Sequence, residues 1–433
     1  MITTIGVVMT IIGLFIFFNY EYSYLVAFLI VTCISQVTAV FATSDSGVLL
    51  SVLGCILVIF RSLLLTDFGI YKTRFAFLIL IFGIYSFLVS IIGPYLFNGL
   101  SVVGTNLDDA VLFGYDELSP SMIHIGSFFT FFLRLFTLVC IWQSRIFVDN
   151  KIIRDGFLVA VFLSLFFGFW EFSSKMSGYL IPFPSSILYN CPNSGIVIGQ
   201  LYTGANEALG ERMRMSSLCS EASFFGVFLA ASFWSCFSMT SFKAKLFYLL
   251  LILLASVCTL SGAGIISLVL GGLTYIFLGK KDFYFLLKII VIFVGFYWVF
   301  QLDEIQNLLL NKSDSQSGVV RLETTLNSIN VFFESYFMGI GWNYTRSSSF
   351  LFDTLAAVGV FGTLTFVYVC SLMIKPILKD RSASYILWYC FVLFLGQIIA
   401  IPDFRFTFFW LGLFMLVSYN PYKNKYKHAI CNS

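Results

Sequence analysis

Two short stretches hold the residues best suited to phosphate chemistry. The first contains Arg212 and Arg214 and runs through Met-Ser-Ser-Leu-Cys-Ser to Glu221. The second begins at Arg321 and leads to Glu334-Ser-Tyr-Phe-Met-Gly339-Ile-Gly341, with Arg346 and Asp353 close behind. Arginine suits phosphate because its planar fork makes two parallel hydrogen bonds and stays charged at any working pH. A lipid-linked diphosphate would use such a pair; contact with lipid headgroups, or a local ion pair, would use it as well. Glu221 is the acid nearest the first arginine pattern. It could take a proton from an attacking hydroxyl, pair with Arg212 or Arg214, or serve as a charge at the start of a helix.

These residues have to be positioned by a hydrophobic framework. Of the 433 residues, 59% are hydrophobic and 11% charged, and Phe alone occurs 53 times. Soluble proteins carry roughly 25% charged residues. That much apolar surface cannot be hidden in a water-soluble core of this size, so most of it must face lipid. The net charge of +3 is too small to point to nucleic acid.

A helix crossing hydrocarbon needs about 20 apolar residues, because lipid satisfies no open backbone group. Apolar runs over 4–20, 23–41, 48–65, 75–96, 122–142, 157–172, 217–236, 246–260, 263–278, 283–300, 350–374, 385–401 and 405–419 predict an all-α, polytopic membrane protein. About twelve to thirteen spans are expected, in a single transmembrane domain over 1–433. The first two runs are short enough to form a hairpin that does not fully cross. The N-terminus lacks a charged region and a cleavage site and reads as a retained helix.

Lys and Arg mark alternate connections: Arg61, Lys72 and Arg74; Arg145, Lys151 and Arg154; Lys243 and Lys245; Lys280 and Lys281; Lys375, Lys379 and Arg381; and Lys423, Lys425 and Lys427 in the tail. By the positive-inside rule these connections and the C-terminus are cytoplasmic. The longer connections, 97–121, 173–215 and 301–349, then lie on the opposite face. Their few cations are Lys175, Arg212, Arg214, Lys312, Arg321 and Arg346, with Arg405 in a tight turn on the same side. Within the third connection Leu322, Leu326, Ile329 and Phe333 recur at helical spacing, which predicts an amphipathic helix at the membrane surface. No internal repeat is visible.

The remaining candidates have plainer alternatives. Asp353, near the start of a span, is a second acid or a buried hydrogen-bonding group. Arg405 most simply pairs with Asp403. Arg134 sits inside an apolar run, where an arginine is a functional candidate or snorkels toward the surface. Asp108 and Asp109 are adjacent, a thin basis for a metal site, and neither a metal nor a cofactor is expected. Most of the ten cysteines sit in apolar runs as small hydrophobes. Only Cys191 and Cys219 could meet in an oxidising loop.

The order of these motifs resembles the O-antigen polymerase and ligase superfamily. Arg214 through Glu221 to Gly226 leads from a loop into a helix. Arg321, Gly339-Ile-Gly341 and then Val358-Gly359-Val-Phe-Gly362 follow in a second loop and helix. The resemblance covers 212–362 and implies an enzyme of the bacterial inner membrane. Its substrates would be undecaprenyl-diphosphate-linked oligosaccharides at the periplasmic face, with a chain-length regulator as a further partner. It implies catalytic roles for Arg214, Arg321 and Glu221; Arg212, Arg346, Asp353, Arg405 and Arg134 are read from residue type and place as further substrate-binding candidates. The ligase type carries a His soon after its Gly-x-Gly; here Tyr344-Thr-Arg-Ser-Ser-Ser-Phe350 has none, and the only histidines are His124 and His428. A polymerase is therefore expected. A ligase lacking that His and a lipid-linked oligosaccharide flippase are the alternatives.

Overall fold

The computed structural model describes residues 2–42, 47–65, 73–103, 115–191, 213–239, 244–278, 316–378, 380–400 and 406–421. The chain is mostly helical. In order the helices are α1 (Thr4–Asn19), α2 (Tyr22–Thr32), α3 (Leu50–Leu65), α4 (Arg74–Leu96), α5 (Met122–Ser144), α6 (Asn150–Met176) and the single turn α7 (Ser185–Leu188). There follow α8 (Ala222–Ser238), α9 (Lys245–Thr259), α10 (Gly262–Leu278), α11 (Gln316–Glu334), α12 (Phe350–Ile374), α13 (Ser384–Ala400) and α14 (Thr407–Ser418). Three of the described starts use side-chain caps, among them α1, where Thr3 Oγ1 accepts from Gly6 N at 2.9 Å, and α6, where Asp149 Oδ1 accepts from Lys151 N at 2.9 Å.

Among the described residues four helical stretches are long and apolar enough to cross a membrane: Arg74–Leu96, Phe128–Phe147, Asn150–Met176 and Phe350–Ile374. The other apolar helices are shorter. Every expected run except 283–300, which lies outside the described residues, contains an apolar helix, but the run expected over 23–41 is helical only to Thr32 and ends in a strand at Ala39–Ala42, so it is not a single span. Several begin or end elsewhere than predicted. The run expected from 217 becomes helical only at Ala222, and α6 continues to Met176, past the expected end at 172.

The shortest helices are not peripheral. All twelve residues of α14 are buried, as are most of α2. A helix apolar on every side belongs inside a bundle. At about 18 Å, α14 is well short of the roughly 30 Å of hydrocarbon. It packs against α13, α5 and α2, with Trp410, Phe408 and Phe414 fully buried. The Phe408 ring stacks on Phe228 of α8 at 4.0 Å. The expectation of a simple span over 405–419 is corrected accordingly.

Two antiparallel hairpins depart from an all-helical chain. One pairs β1 (Ala39–Ala42) with β2 (Gly47–Leu49). The other pairs β3 (Ser101–Val103) with β4 (Tyr115–Glu117), inside the expected loop 97–121.

The glycines of the second motif have a structural use. At Gly359 the backbone of α12 breaks, with φ 64° and ψ −169°. The chain from Phe337 to Gly341 fills the break: Ile340 N donates to Ala356 O, Gly341 N to Ala357 O and Val360 N to Phe337 O, at 2.9 to 3.0 Å. A Cβ on Gly359 would stand 2.2 Å from the Phe337 carbonyl oxygen, and one on Gly341 would stand 2.6 Å from Ser90 Cα of α4. The segment is thus clamped between α4 and α12. Gly359→Ala should cost about 1–3 kcal/mol in backbone strain alone, plus displacement of the clamped segment. A clear fall in the melting temperature of the detergent-solubilised protein is expected. Gly99→Ala is the control, since Gly99 also has positive φ (87°) but meets nothing within 4 Å. Equal melting of the two variants would mean that the clamp contributes nothing.

Candidate functional site

Residues 213–221 form a loop between α6 and α8 that is tied down nearly residue by residue. Met215 N donates to Cys258 O at 3.0 Å. Arg214 Nε donates to Thr259 O at 2.9 Å. Both acceptors belong to the last turn of α9, where carbonyls lack helical partners and a cation is favoured. Leu260 closes that turn in the left-handed region, with φ 44°. Ser217, with φ 54°, is held on both sides: its hydroxyl donates to Ser164 O at 2.8 Å, and its carbonyl accepts from Tyr189 Oη at 2.7 Å.

Beneath the loop lies a buried ion pair. Glu171 and Lys175, one helical turn apart at the end of α6, are 2% and 4% exposed and meet at 2.5 Å. Ser216 N and Ser217 N donate to Glu171 Oε2 at 2.9 and 2.8 Å, and Ser216 Oγ donates to Oε1 at 2.5 Å. Lys175 Nζ also donates to Arg214 O at 3.0 Å. A Glu within an expected span, four residues before a Lys, was the available signal.

Arg214 is half-buried. Its two terminal nitrogens make no hydrogen bond to the described residues, so the end of the fork remains open. Burial lowers its pKa from the ordinary arginine value. Glu221 opposes that shift, and the Arg321 charge adds to it. Glu221 and Arg321, from two segments far apart in sequence, are therefore each within electrostatic reach of Arg214.

Glu221 is the exposed N-cap residue of α8. Its side chain does not cap the helix and instead accepts from Ser223 Oγ at 2.8 Å. Arg321 is half-buried on α11, and its guanidinium has no hydrogen bond or ion pair among the described residues. Arg346 is also half-buried, in the loop before α12. Asp353, in the first turn of α12, accepts from Ser347 N at 3.4 Å. That contact fits a residue holding the loop rather than an acid waiting for substrate.

Helix α11 is fixed by polar contacts. Asn327 accepts from Val103 N at 3.2 Å and donates to Ser101 O at 3.1 Å, tying the helix to β3. Thr324 meets Ser348 at 3.0 Å. Three residues of the predicted apolar stripe, Leu322, Leu326 and Phe333, are exposed, as an interfacial helix requires, while the fourth, Ile329, is half-buried. On the edge away from Arg321, a cavity of about 410 Å³ is lined by Glu323, Glu334, Asn330, Tyr115 and Ser101. Its carboxylates would repel a diphosphate. Amides, carboxylates and an aromatic ring suit sugar hydroxyls instead.

The other candidates fall elsewhere. Arg134 is 2% exposed, its Nη2 donates to Ser51 Oγ of α3 at 3.2 Å, and its guanidinium lies over the Trp410 ring at 5.6 Å. It ties three helices together inside the bundle and does not snorkel. Cys191 and Cys219 are buried and form no disulfide, so the suggested bridge is absent. Arg212, Arg405 with Asp403, and the pair Asp108 and Asp109 lie outside the described residues. Among the described residues no group of three or more His, Cys, Asp or Glu is placed to hold a metal. No family model matches the chain, and no curated protein matches it.

Proposed function

We propose that the protein is a membrane-embedded glycosyltransferase that polymerises undecaprenyl-diphosphate-linked oligosaccharide repeat units, as O-antigen polymerases do. In this proposal it sits in a bacterial inner membrane with its C-terminus in the cytoplasm, and Arg214 and Arg321 face the periplasm. The observation that carries it is that Glu221 and Arg321 both act on the charge of Arg214, while among the described residues the Arg214 terminal nitrogens and the Arg321 guanidinium have no hydrogen-bond partner.

The chemistry follows from those edges. An acceptor hydroxyl oxygen attacks the anomeric carbon of the donor sugar, and the bond from that carbon to the diphosphate oxygen breaks. The leaving undecaprenyl diphosphate takes the electron pair and gains one negative charge. Two arginines held in a low-dielectric site stabilise that developing charge more than the ground state. The hydroxyl proton passes to Glu221 or to the departing diphosphate. Glu221 is suited to the first route by its exposure and its seat at a helix start.

The purified protein in liposomes, given a synthetic undecaprenyl-diphosphate oligosaccharide, should form longer lipid-linked saccharides. One undecaprenyl diphosphate should be released for each new glycosidic bond. Movement of the lipid across the bilayer without any new glycosidic bond would overturn the proposal.

A further inference from the structure

The structure assigns the buried pair Glu171–Lys175 a positioning role: it sets the backbone of the 214–217 loop so that Arg214 presents its fork to a diphosphate. This inference rests on the proposed reading of Arg214 as a diphosphate ligand.

The geometry is specific to that loop. Glu171 acts as an anion inside a cradle of donors, accepting both backbone N–H groups of Ser216 and Ser217, the Ser216 hydroxyl and the Lys175 ammonium. Lys175 extends the same network to the Arg214 carbonyl, and Ser216 Oγ lies 3.5 Å from its Nζ. Arg214 is thus held from opposite sides. Its carbonyl is gripped by α6 through Lys175, and its Nε by the C-terminal carbonyl of α9. Those two bonds leave the terminal nitrogens without a hydrogen-bond partner among the described residues, where they can bind a ligand. Neither Glu171 nor Lys175 reaches the ligand side, since both are buried.

Stability alone does not explain the pair. Taking two charges out of water is offset by their attraction only when the geometry is good, and apolar replacements often serve a fold as well. A buried pair spending its bonds on one loop is better explained by the conformation it enforces there. Displacing a reacting group by about 1 Å can cost on the order of 10²-fold in rate.

The test is a coupling measurement on the full-length protein in lipid nanodiscs, with undecaprenyl diphosphate as the probe. Lys175→Met should weaken binding by about tenfold or more, within the range expected for a displaced ligand. In the Arg214→Ala background the same change should weaken it no further, because the residue it positions is gone. In the Arg321→Ala background the losses should multiply. A pair with a merely structural role would lower the melting temperature and multiply with both arginines, and that pattern would overturn the inference. If Lys175→Met does not fold, Ser216→Ala removes the hydroxyl shared by Glu171 and Lys175 while keeping the ion pair. The same coupling with Arg214 is then expected on a smaller loss. A wild-type protein that binds no undecaprenyl diphosphate would instead refute the diphosphate reading. The positioning role is then measured separately, as the thiol-labelling rate of Arg214→Cys with and without Lys175→Met. An unchanged rate would dismiss it.

Discussion

Arg321→Ala should abolish polymerisation while leaving the protein folded. The guanidinium of Arg321 makes no hydrogen bond or ion pair to the described residues, so its removal breaks no polar contact among them. Loss of one donor to a developing anion typically lowers turnover by about 10²–10³-fold. Arg321→Lys keeps the charge but not the two parallel bonds, and should still be strongly impaired. Arg214→Lys should be impaired for the same reason. It also loses the bond from Nε to the Thr259 carbonyl, at a structural cost of about 0.5–1.5 kcal/mol. A melting curve separates that cost from lost catalysis. Glu221→Gln keeps an oxygen for Ser223 to donate to and removes only the charge. Activity that survives it would assign the proton to the departing diphosphate. Full activity of Arg321→Ala would remove that residue from the site.

The parts of the molecule that were legible beforehand are those where one physical rule dominates. Apolar runs marked nearly every described helix, because lipid and core both demand uninterrupted hydrophobicity. The exposed stripe of Leu322, Leu326 and Phe333 on α11 followed from spacing alone. Whether a short apolar run spans or is swallowed does not follow from hydropathy, and α14 shows why. Its composition suits lipid and protein interior equally, and only the neighbours decide. The same limit applies to Arg134, whose partners Ser51 and Trp410 are far away in sequence.

Glycine signals were ambiguous in another way. Gly339, Gly341 and Gly359 were legible as places of close approach. What approaches turned out to be backbone: the 337–341 segment lies in the break of α12 and against α4. Part of the pattern that suggests the polymerase superfamily is therefore explained by folding, which leaves the arginines to carry the chemistry. Glu171 is not legible as a site residue because cations in loops do not point to an acid at the end of a span. Its meaning depends on the backbone N–H groups of Ser216 and Ser217, which no side-chain pattern reveals.

Deleting the gene should leave surface glycolipid that carries a single repeat unit. Export and ligation do not need the polymer, so one unit still reaches the acceptor when polymerisation stops. The alternatives leave different traces. Loss of a ligase would strand long polymer on undecaprenyl diphosphate and leave bare core, and it would fit the chain only if the missing His after Gly341 were dispensable. Loss of a flippase would trap single lipid-linked units in the cytoplasmic leaflet, again with bare core. Gel electrophoresis separates core with one unit from bare core, and extraction of the lipid-linked pool tells long polymer from single units. Bare core of either kind would refute polymerisation. Restoring the gene with Arg321→Ala should leave the single-unit band in place, because the variant is expected to fold and lacks the guanidinium proposed to receive the leaving diphosphate. A full polymer ladder from that strain would separate the gene's role from the proposed site: the chain would be a polymerase whose diphosphate is held by other residues.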